Sequence, residues 1–358
     1  MRKLDWSSVG RGIWAFYHPF YGTPDGPSGR WLTWNEPVGL STGYGFPEPR
    51  VPEEMRACLR RDPGRMVGPG RRDSYSVFYP TLGLYDTRDP EVLKQHVLWA
   101  LEAGIDGFLW DCTIPNGEVV HQPIAHTHFF KSLEAMVEVL DELRVEFKLC
   151  PWYDSYGWWG YPVERMVAEI SELVRRFVDS PHFLRMDGSF CVFTYKTFGS
   201  HTWEDWRRVR EGLEAEGMKG IAIVAGEAAR PGVGRLFEGL TQYNVPVDRW
   251  TPEGFASCYE DIVRVARKED LFYALPVAPG FDGRCWHIPG RVASRGLGRL
   301  YEAIWEKAMA YDPPFIVICS WNEWGEGTQI EPCEEYEDLY IRLTRRWAER
   351  FKEKGGRR

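Results

Sequence analysis

The sequence predicts a (β/α)8 barrel, a closed cylinder of eight parallel strands surrounded by helices, within one domain covering residues 1–358. Eight short apolar runs recur along the chain, and segments with helical periodicity separate most of them. Most of the runs are continuously apolar rather than alternating, which is typical of strands buried on both faces. An open doubly wound sheet is the second possibility. No glycine-rich phosphate loop follows the first run, and this disfavours it.

The apolar runs give the strands in chain order. They cover residues 12–20, 106–112, 147–153, 190–195, 220–225, 239–245, 272–279 and 315–321. The first predicted helix covers residues 90–103, with Asp89 as its N-cap, Pro90 at its first position and Gly104 at its end. The other predicted helices cover residues 128–145, 162–178, 203–216, 255–268, 296–310 and 336–352, with a short turn at 230–237.

One long segment, residues 21–80, follows the first strand and is rich in Gly and Pro, with little regular periodicity. A loop of this length in a compact domain usually has a functional role, so we expect it to lie over the catalytic face. The last residues, 353–358, are basic and contain glycine, and we expect them to fray.

Composition limits the class of partner. The formal net charge is −8, which disfavours nucleic acid, since phosphate binding needs a basic surface. The N-terminus has no apolar signal region, and no run is long enough to span a membrane, so we expect a cytoplasmic protein without membrane contact. Four cysteines (Cys112, Cys150, Cys191 and Cys319) lie in or beside apolar runs, and we expect them to be reduced.

The segment after the eighth apolar run is the most informative about chemistry. Residues 320–331 read SWNEWGEGTQIE, so Glu323 and Glu326 follow a strand end together with Trp321 and Trp324. Active sites of these barrels lie at the C-terminal ends of the strands. Two carboxylates in an aromatic, glycine-containing loop at that face suggest acid/base chemistry on a sugar.

Further polar and aromatic residues follow the other strand ends and are candidates for substrate binding. They are Tyr17, Tyr21, Asp111, Trp152, Tyr243, Arg284, Trp286, Asn322 and Trp324; His18 and Glu227 also follow strand ends. Several have a structural alternative. Tyr17, Tyr21 and Trp152 fit packing equally well, and Arg284 could pair with Asp282.

Metal and nucleophile chemistry are not expected. The histidines at 121, 126 and 128 match no familiar zinc spacing, and the strand ends lack a Ser/His/Asp arrangement or a paired Cys and His. We therefore expect no metal and no cofactor.

Four motifs together resemble glycoside hydrolase family 99, the endo-α-1,2-mannosidases and mannanases. They are NEWGEGTQIE at 322–331, AFYHPFYG at 15–22 with WNEP at 34–37, FYPTLGLY at 78–85 with RDP at 88–90, and PGFDGRCW at 279–286. The resemblance implies a metal-free (β/α)8 barrel that cleaves α-linked glycans with retention of configuration. The substrate would be an oligosaccharide or polysaccharide, whereas the oligomeric state stays open.

The resemblance also implies roles for individual residues. Glu323 would take the proton of the sugar 2-hydroxyl, whose attack gives a 1,2-anhydro sugar, and Glu326 would be the general acid/base. Holding a proton near neutrality requires a raised pKa for Glu326, which packing beside Trp321 or Trp324 could supply. Tyr243, Arg284 and Asn322 match sugar-contacting positions of the family.

Two differences from the family's usual sequence bear on which sugar is bound rather than on the class of reaction. The mannosidases usually carry His at the position of Gly325, and Cys150 stands where the family typically has Glu before Pro151. Two alternatives therefore stay open. One is a related glycan-binding or glycosyl-transferring protein of polysaccharide metabolism, and the other is an α-glucanase.

Overall fold

The apolar runs of the sequence form the inner cylinder of the protein. The computed structural model describes residues 4–35, 61–112, 124–154, 161–285 and 290–355. Within these ranges eight parallel strands pair in chain order, and β8 pairs with β1 to close the cylinder. They are β1 Gly12–Tyr17, β2 Gly107–Asp111, β3 Lys148–Asp154, β4 Ser189–Tyr195, β5 Ile221–Gly226, β6 Gly239–Thr241, β7 Phe272–Val277 and β8 Phe315–Ile318. The predicted (β/α)8 barrel is confirmed.

Helices cover the outside of the cylinder. They are α1 Pro90–Glu102, α2 His128–Leu143, α3 Val163–Phe177, α4 Trp203–Ala215, α5 Pro252–Glu269, α6 Arg299–Ala310 and α7 Leu339–Gly355. Short 3-10 turns lie at Trp6–Val9, Ile124–His126, Val233–Arg235, Val247–Arg249 and Gly296–Gly298. The predicted cap of α1 is present, because Asp89 accepts a hydrogen bond from the Glu91 backbone.

Three predicted helix starts were wrong by a few residues. Helix α5 begins at Pro252, before the predicted residue 255, because Thr251 caps it by accepting from the Gly254 backbone. Helix α6 begins only at Arg299, since Leu297 has a φ of 55° and breaks the helical path. Helix α7 begins at Leu339 rather than 336, and Glu337, with a φ of 51°, interrupts the path in the same way.

The segment 21–80 is more regular than expected where it is described. Met66–Gly68 pairs antiparallel with Arg71–Arg72, a short strand pair that the weak periodicity of the segment did not indicate. Residues 36–60 lie outside the described ranges. Two further short strand pairs flank the barrel, Phe281–Asp282 with Val292–Ala293 and Arg185–Met186 with β4. Helix α7 continues to Gly355, into the tail that we expected to fray.

A second apolar cluster fixes this segment against the loop after β8. Its buried members are Tyr21, Trp34, Tyr75, Phe78, Tyr85, Trp324 and Cys333. Their aromatic rings contribute large buried areas, so the described part of the segment is held against the loop after β8, at the C-terminal end of the barrel. That the segment covers the catalytic face stays a prediction.

Two expectations about the chain can be compared with the described residues. None of their helices is long and apolar enough to cross a membrane. Cys112, Cys150, Cys191 and Cys319 are buried free thiols, as expected.

Candidate active site

The loop after β8 carries both predicted carboxylates, and it is held by its own hydrogen bonds. The backbone N–H of Glu323 donates to Ser320 Oγ at 2.8 Å, and the N–H of Thr328 donates to the Glu323 carbonyl at 3.2 Å. Gly327 has a φ of 57°, and a Cβ there would lie 2.9 Å from the Phe78 ring. Glycine is therefore required by both conformation and space, and the turn places Glu326 beside Glu323 at the mouth of the barrel.

Asn322 joins this loop to the end of β1. Its Oδ1 accepts from the His18 backbone at 2.7 Å, and its Nδ2 donates to the His18 carbonyl at 3.0 Å. Tyr21 adds a second link, since its hydroxyl donates to the Asn322 carbonyl and accepts from the Trp324 backbone. These bonds align His18 with Glu323.

A buried network of polar side chains also holds the loop after β8 in place. Glu331 accepts from Tyr85 at 2.7 Å and lies 3.1 Å from His96 Nε2, and both Glu331 and His96 have fully buried side chains. Trp324 Nε1 donates to the Tyr85 hydroxyl at 2.9 Å. Because buried polar groups are costly without partners, this set of bonds restricts the loop to one arrangement.

Each carboxylate has its own hydrogen-bonding neighbours. Glu323 is 4% exposed, and it accepts from the Gly325 backbone at 3.1 Å and from Tyr75 at 3.4 Å. His18 Nδ1 lies 3.4 Å from Glu323 Oε2 and 3.1 Å from Asp111 Oδ2.

Glu326 is partly exposed, and Tyr243 donates to its Oε2 at 3.4 Å. The Tyr243 hydroxyl also lies 3.3 Å from His18 Nε2.

These surroundings shift the pKa of each group. Burial, followed by the charge of Glu323, raises the pKa of Glu326 to about 8. Burial also raises the pKa of Glu323, although His18 and the Gly325 N–H oppose the shift. Burial alone would lower the pKa of His18, but Glu323 and Asp111 outweigh it and raise that pKa. Glu326 is therefore suited to hold a proton at neutral pH.

Tyr243 is held in place by Glu227, which follows β5. The Glu227 carboxylate accepts from the Tyr243 backbone at 2.9 Å and from the Lys196 backbone at 2.7 Å, joining the loops after β4 and β6. Burial raises the pKa of Glu227 to about 6. Lys196 and Glu227 both have positive φ, 40° and 53°, which is unfavourable for residues other than glycine and often marks functional sites.

Aromatic rings form the floor of the site. Trp152 stacks on Tyr243 at a centroid distance of 4.9 Å, and Phe16 contacts Trp152 at 4.4 Å. Trp152 is only 3% exposed. It thus lies close to the carboxylates, but most of its surface packs against other protein rings.

Tyr17 and Trp324 are not brought into the site. Tyr17 is fully buried; its ring stacks on Trp110, and its hydroxyl bonds His96. Trp324 is fully buried in the second apolar cluster. Substrate contact, predicted for both, has no support in this arrangement, because their side chains point into packed interior.

Tyr21 and Asn322 lie beside the site, but their polar groups are engaged by the protein. Both side chains are fully buried, and the bonds described above join them to the loop. Their bonds fix the loop that carries the carboxylates, and the sugar contact predicted for Tyr21 and Asn322 stays a prediction.

Arg284 lies at the rim of the site. Its guanidinium makes a bidentate pair with Asp282, with distances of 2.8 and 2.6 Å, and its side chain stays 60% exposed. Arg284 therefore forms the ion pair with Asp282 that the sequence offered as an alternative to substrate contact. The rest of its guanidinium remains exposed to solvent. Trp286 lies outside the described residues, as does His121.

Three contributors to the site were given no role from the sequence, namely His18, Glu227 and Tyr75. His18 and Glu227 do follow strand ends, so that position was a usable signal. Tyr75 carries no such signal, because only the fold of the segment after β1 brings its hydroxyl to Glu323.

A metal site was also considered for the described part of the chain. No three His, Cys, Asp or Glu side chains there are grouped so that they could hold a metal ion. The described site offers two carboxylates, an imidazole and tyrosine hydroxyls.

Comparison with known proteins assigns this arrangement to a family. The sequence model described as Glycosyl hydrolase family 99 matches residues 9–353. The rat glycoprotein endo-alpha-1,2-mannosidase is 24% identical over 95% of this chain and 74% of its own length. The human glycoprotein endo-alpha-1,2-mannosidase-like protein is 26% identical over 94% of this chain and 75% of its own length.

Solved structures agree on the fold. The GH99 endo-alpha-mannosidase from Bacteroides thetaiotaomicron superposes with a TM-score of 0.73, covering 95% of this chain and 97% of that one at 19% identity. A glycoside hydrolase-like protein superposes with a TM-score of 0.60 over 97% of this chain and 96% of its own, at 14% identity. At these identities the likeness supports the barrel itself.

Proposed function

Because this chain belongs to glycosyl hydrolase family 99, and is thus a glycoside hydrolase, we propose that it cleaves α-mannosidic bonds with retention of configuration. Glu323 is the base toward the sugar 2-hydroxyl, and Glu326 is the general acid and base. The observation that carries this proposal is the unequal pair of carboxylates. Burial and the Glu323 charge raise the pKa of Glu326 to about 8, whereas Glu323 lies against the His18 imidazole.

The first chemical step breaks the glycosidic bond. Glu323 takes the proton of the 2-hydroxyl, and O2 attacks C1 of the same sugar. The bond from C1 to the leaving oxygen breaks, and Glu326 delivers its proton to that oxygen. The product is a 1,2-anhydro sugar, and the protons have moved from O2 to Glu323 and from Glu326 to the leaving group. Glu326 suits this step because its raised pKa favours the protonated form at neutral pH.

The second step opens the anhydro ring. Glu326, now ionised, takes a proton from water, whose oxygen attacks C1. The bond from C1 to O2 breaks, and Glu323 returns its proton to O2. Two inversions at C1 give net retention, and both carboxyl groups recover their starting protonation.

Substrate contact is proposed for the residues that keep a reachable polar edge. The Tyr243 hydroxyl lies beside Glu326, Asp111 lies beside His18, and the Arg284 guanidinium lies at the rim. Trp152 would add an aromatic surface below the reacting sugar, a common feature of carbohydrate sites. We keep the same proposal for Trp286, which follows Arg284 in the sequence.

Mannose is proposed from the relatives, whose names specify endo-α-1,2-mannosidase. Gly325 replaces the side chain that the mannosidases usually carry between the two acids. An α-glucan is therefore the substrate to compare directly with α-mannan.

The test is a set of defined α-linked manno- and gluco-oligosaccharides, with product anomers followed by NMR. Immediate release of the α-anomer from a mannoside supports the proposal. Release of the β-anomer would contradict retention, and cleavage of glucosides alone would contradict mannose specificity. Transfer products, or binding without turnover, would instead identify a glycosyl-transferring or glycan-binding protein.

A further inference from the structure

His18 connects the two carboxylates through a continuous set of short contacts. Its Nδ1 lies 3.1 Å from Asp111 and 3.4 Å from Glu323, and its Nε2 lies 3.3 Å from the Tyr243 hydroxyl. That hydroxyl in turn lies 3.4 Å from Glu326 Oε2. His18 is 3% exposed, and its backbone is fixed by Asn322, so the ring cannot turn away without breaking these bonds.

The direction of these hydrogen bonds depends on the hydrogens that His18 carries. Nδ1 faces two carboxylate oxygens, which only accept, so Nδ1 carries a hydrogen in every productive arrangement. If Nε2 also carries one, it donates to Tyr243, and Tyr243 donates to Glu326 Oε2. The acid proton of Glu326 then lies on Oε1, the oxygen away from Tyr243.

A neutral His18 reverses the direction. Nε2 without a hydrogen accepts from Tyr243, and the Tyr243 oxygen then accepts from a proton on Glu326 Oε2. In that arrangement the acid proton is bound within the protein and is not available to a leaving group. The doubly protonated ring is thus the form that leaves Glu326 ready to act.

The charges around the ring favour this cation. Three carboxyl groups surround it, namely Asp111 at the end of β2, and Glu323 and Glu326 after β8. Other titratable or charged groups lie near His18 or these carboxyl groups. They include Lys196 after β4, Tyr243 after β6, Cys319 at the end of β8, Tyr21 and Tyr75 from the segment after β1, and Cys112 and Tyr161 near Asp111. Asp111 and Glu323 are in direct contact with Nδ1, and a cation between them offsets their mutual repulsion.

We propose that His18 is a positioning residue held as an imidazolium between Asp111 and Glu323. It keeps Glu323 ionised as the base and turns the Tyr243 hydroxyl so that the Glu326 proton faces the substrate. This inference rests on the proposed roles of Glu323 and Glu326. It adds a residue that touches neither reacting sugar nor water and acts through both carboxylates.

The charge on His18 can be measured without substrate. The full chain, labelled with 15N at histidine, is titrated by NMR, and the His18 signal is assigned by its loss in His18→Asn and His18→Gln. We expect both ring nitrogens to be protonated at neutral pH, and the titration midpoint to fall in Glu323→Gln, because the variant removes one of the two contacting charges. A neutral His18 ring at neutral pH would overturn the proposal.

The kinetic test distinguishes the contribution of His18 Nδ1 from that of His18 Nε2. Asn at position 18 can place an amide donor near the Nδ1 position, and Gln can place one near Nε2, but neither carries charge. Both should shift the acidic limb of the kcat/KM profile upward by about one pH unit, which is about a tenfold loss on that limb. Only His18→Asn should also lower kcat at the optimum, by about tenfold or more, because it no longer orients Tyr243.

His182→Asn is the control. His182 forms a similar pair with Asp141 near the protein surface, away from the site, so its replacement should leave the profile in place. An unshifted acidic limb in both His18 variants would refute the proposal, whereas a shift in both supports it. If the wild-type protein cleaves no glycan, the proposed function fails, and the NMR result still decides the state of His18.

Discussion

Glu323 and Glu326 are the same residue type in one loop, yet their neighbours give them different tasks. Burial raises the pKa of Glu323, but its contact with His18 and the backbone N–H that it accepts from oppose this rise. Burial, followed by the Glu323 charge, raises the pKa of Glu326 to about 8, and among the described residues the Tyr243 hydroxyl donates to it. These differences support the proposed division into base and acid.

Replacing Glu326 by Gln should reduce turnover according to the leaving group. We expect kcat to fall by about 10²- to 10⁴-fold on an oligosaccharide, whose leaving oxygen needs a proton. The fall should be much smaller on an aryl glycoside, whose leaving group departs without one. Both substrates are assayed with Glu323→Gln as the control, which should lose activity equally on each. Equal losses in Glu326→Gln would contradict its role as the acid.

The raised pKa of Glu326 also predicts how stability changes with pH. The folded state holds this proton with a pKa of about 8, against an ordinary value of 4.5. The folded protein therefore binds the proton more tightly than the unfolded chain. This contribution is complete below the ordinary pKa and is lost as the pH rises through about 8.

The Gln variant removes this dependence, because an amide does not ionise. Its melting temperature relative to wild type should therefore be higher at about pH 9 than at about pH 5. Thermal unfolding followed by circular dichroism at both pH values measures the difference. The same difference at both would show that Glu326 has an ordinary pKa.

At the scale of elements, the site is assembled by side chains that join loops from different strands. Asn322 joins the loop after β8 to the end of β1, and Glu227 joins the loops after β4 and β6. The backbone amides that these side chains satisfy would otherwise be buried without partners. Each such residue therefore controls the position of a catalytic group that it does not touch.

Glu227→Gln tests this joining role. A Gln side chain has one acceptor oxygen, so one of the two N–H groups, of Lys196 or Tyr243, would face an amide donor. We expect the variant to lose about 1–3 kcal/mol of stability, and kcat to fall as Tyr243 moves from Glu326. Chemical denaturation and steady-state kinetics give the two values.

A control for Glu227→Gln is available far from the site. Tyr301 bonds Thr344 between α6 and α7, so Tyr301→Phe should lower stability while kcat stays unchanged. Full activity in Glu227→Gln would show that the loops hold their position without this carboxylate.

At the scale of the whole molecule, the barrel depends on close packing between neighbouring strands. A Cβ on Gly107 in β2 would lie 2.3 Å from the Lys148 carbonyl and 2.5 Å from the Trp14 ring. Gly107→Ala should therefore lower stability by about 1–3 kcal/mol or more, since β2 and β3 must separate. Gly68→Ala is the matched control, because its nearest contact would be 3.9 Å away. Equal melting temperatures for the two variants would contradict this packing.

The sequence was a good guide to the barrel and to the place of the two carboxylates. Continuous apolar runs report strands buried on both faces, and a closed parallel barrel brings all their C-terminal ends to one face. Glu323 and Glu326 follow the last run directly, so their location required only the strand assignment. Helix starts were less accurate, because caps such as Thr251 and positive φ angles at Leu297 and Glu337 decide them locally.

Side-chain direction was harder to predict. Tyr17 ends β1 next to Phe16, but successive strand residues point to opposite faces. Phe16 consequently meets Trp152 within the barrel, whereas Tyr17 contacts His96 on α1. The sequence did not show which residue of β1 is the last to point into the barrel. With that residue known, strand alternation would have predicted that Phe16 and Tyr17 point to opposite faces.

The sequence by itself determined the barrel and the position of the two carboxylates after its last strand, because both depend on local patterns of apolar and polar residues. Only the tertiary structure showed how the surroundings of the two carboxylates differ. The contacts responsible come from His18, Tyr75, Asp111 and Tyr243, which are far apart in the chain. The effects of burial and charge on a pKa depend on the distances between groups in space, and the closure of the barrel sets those distances.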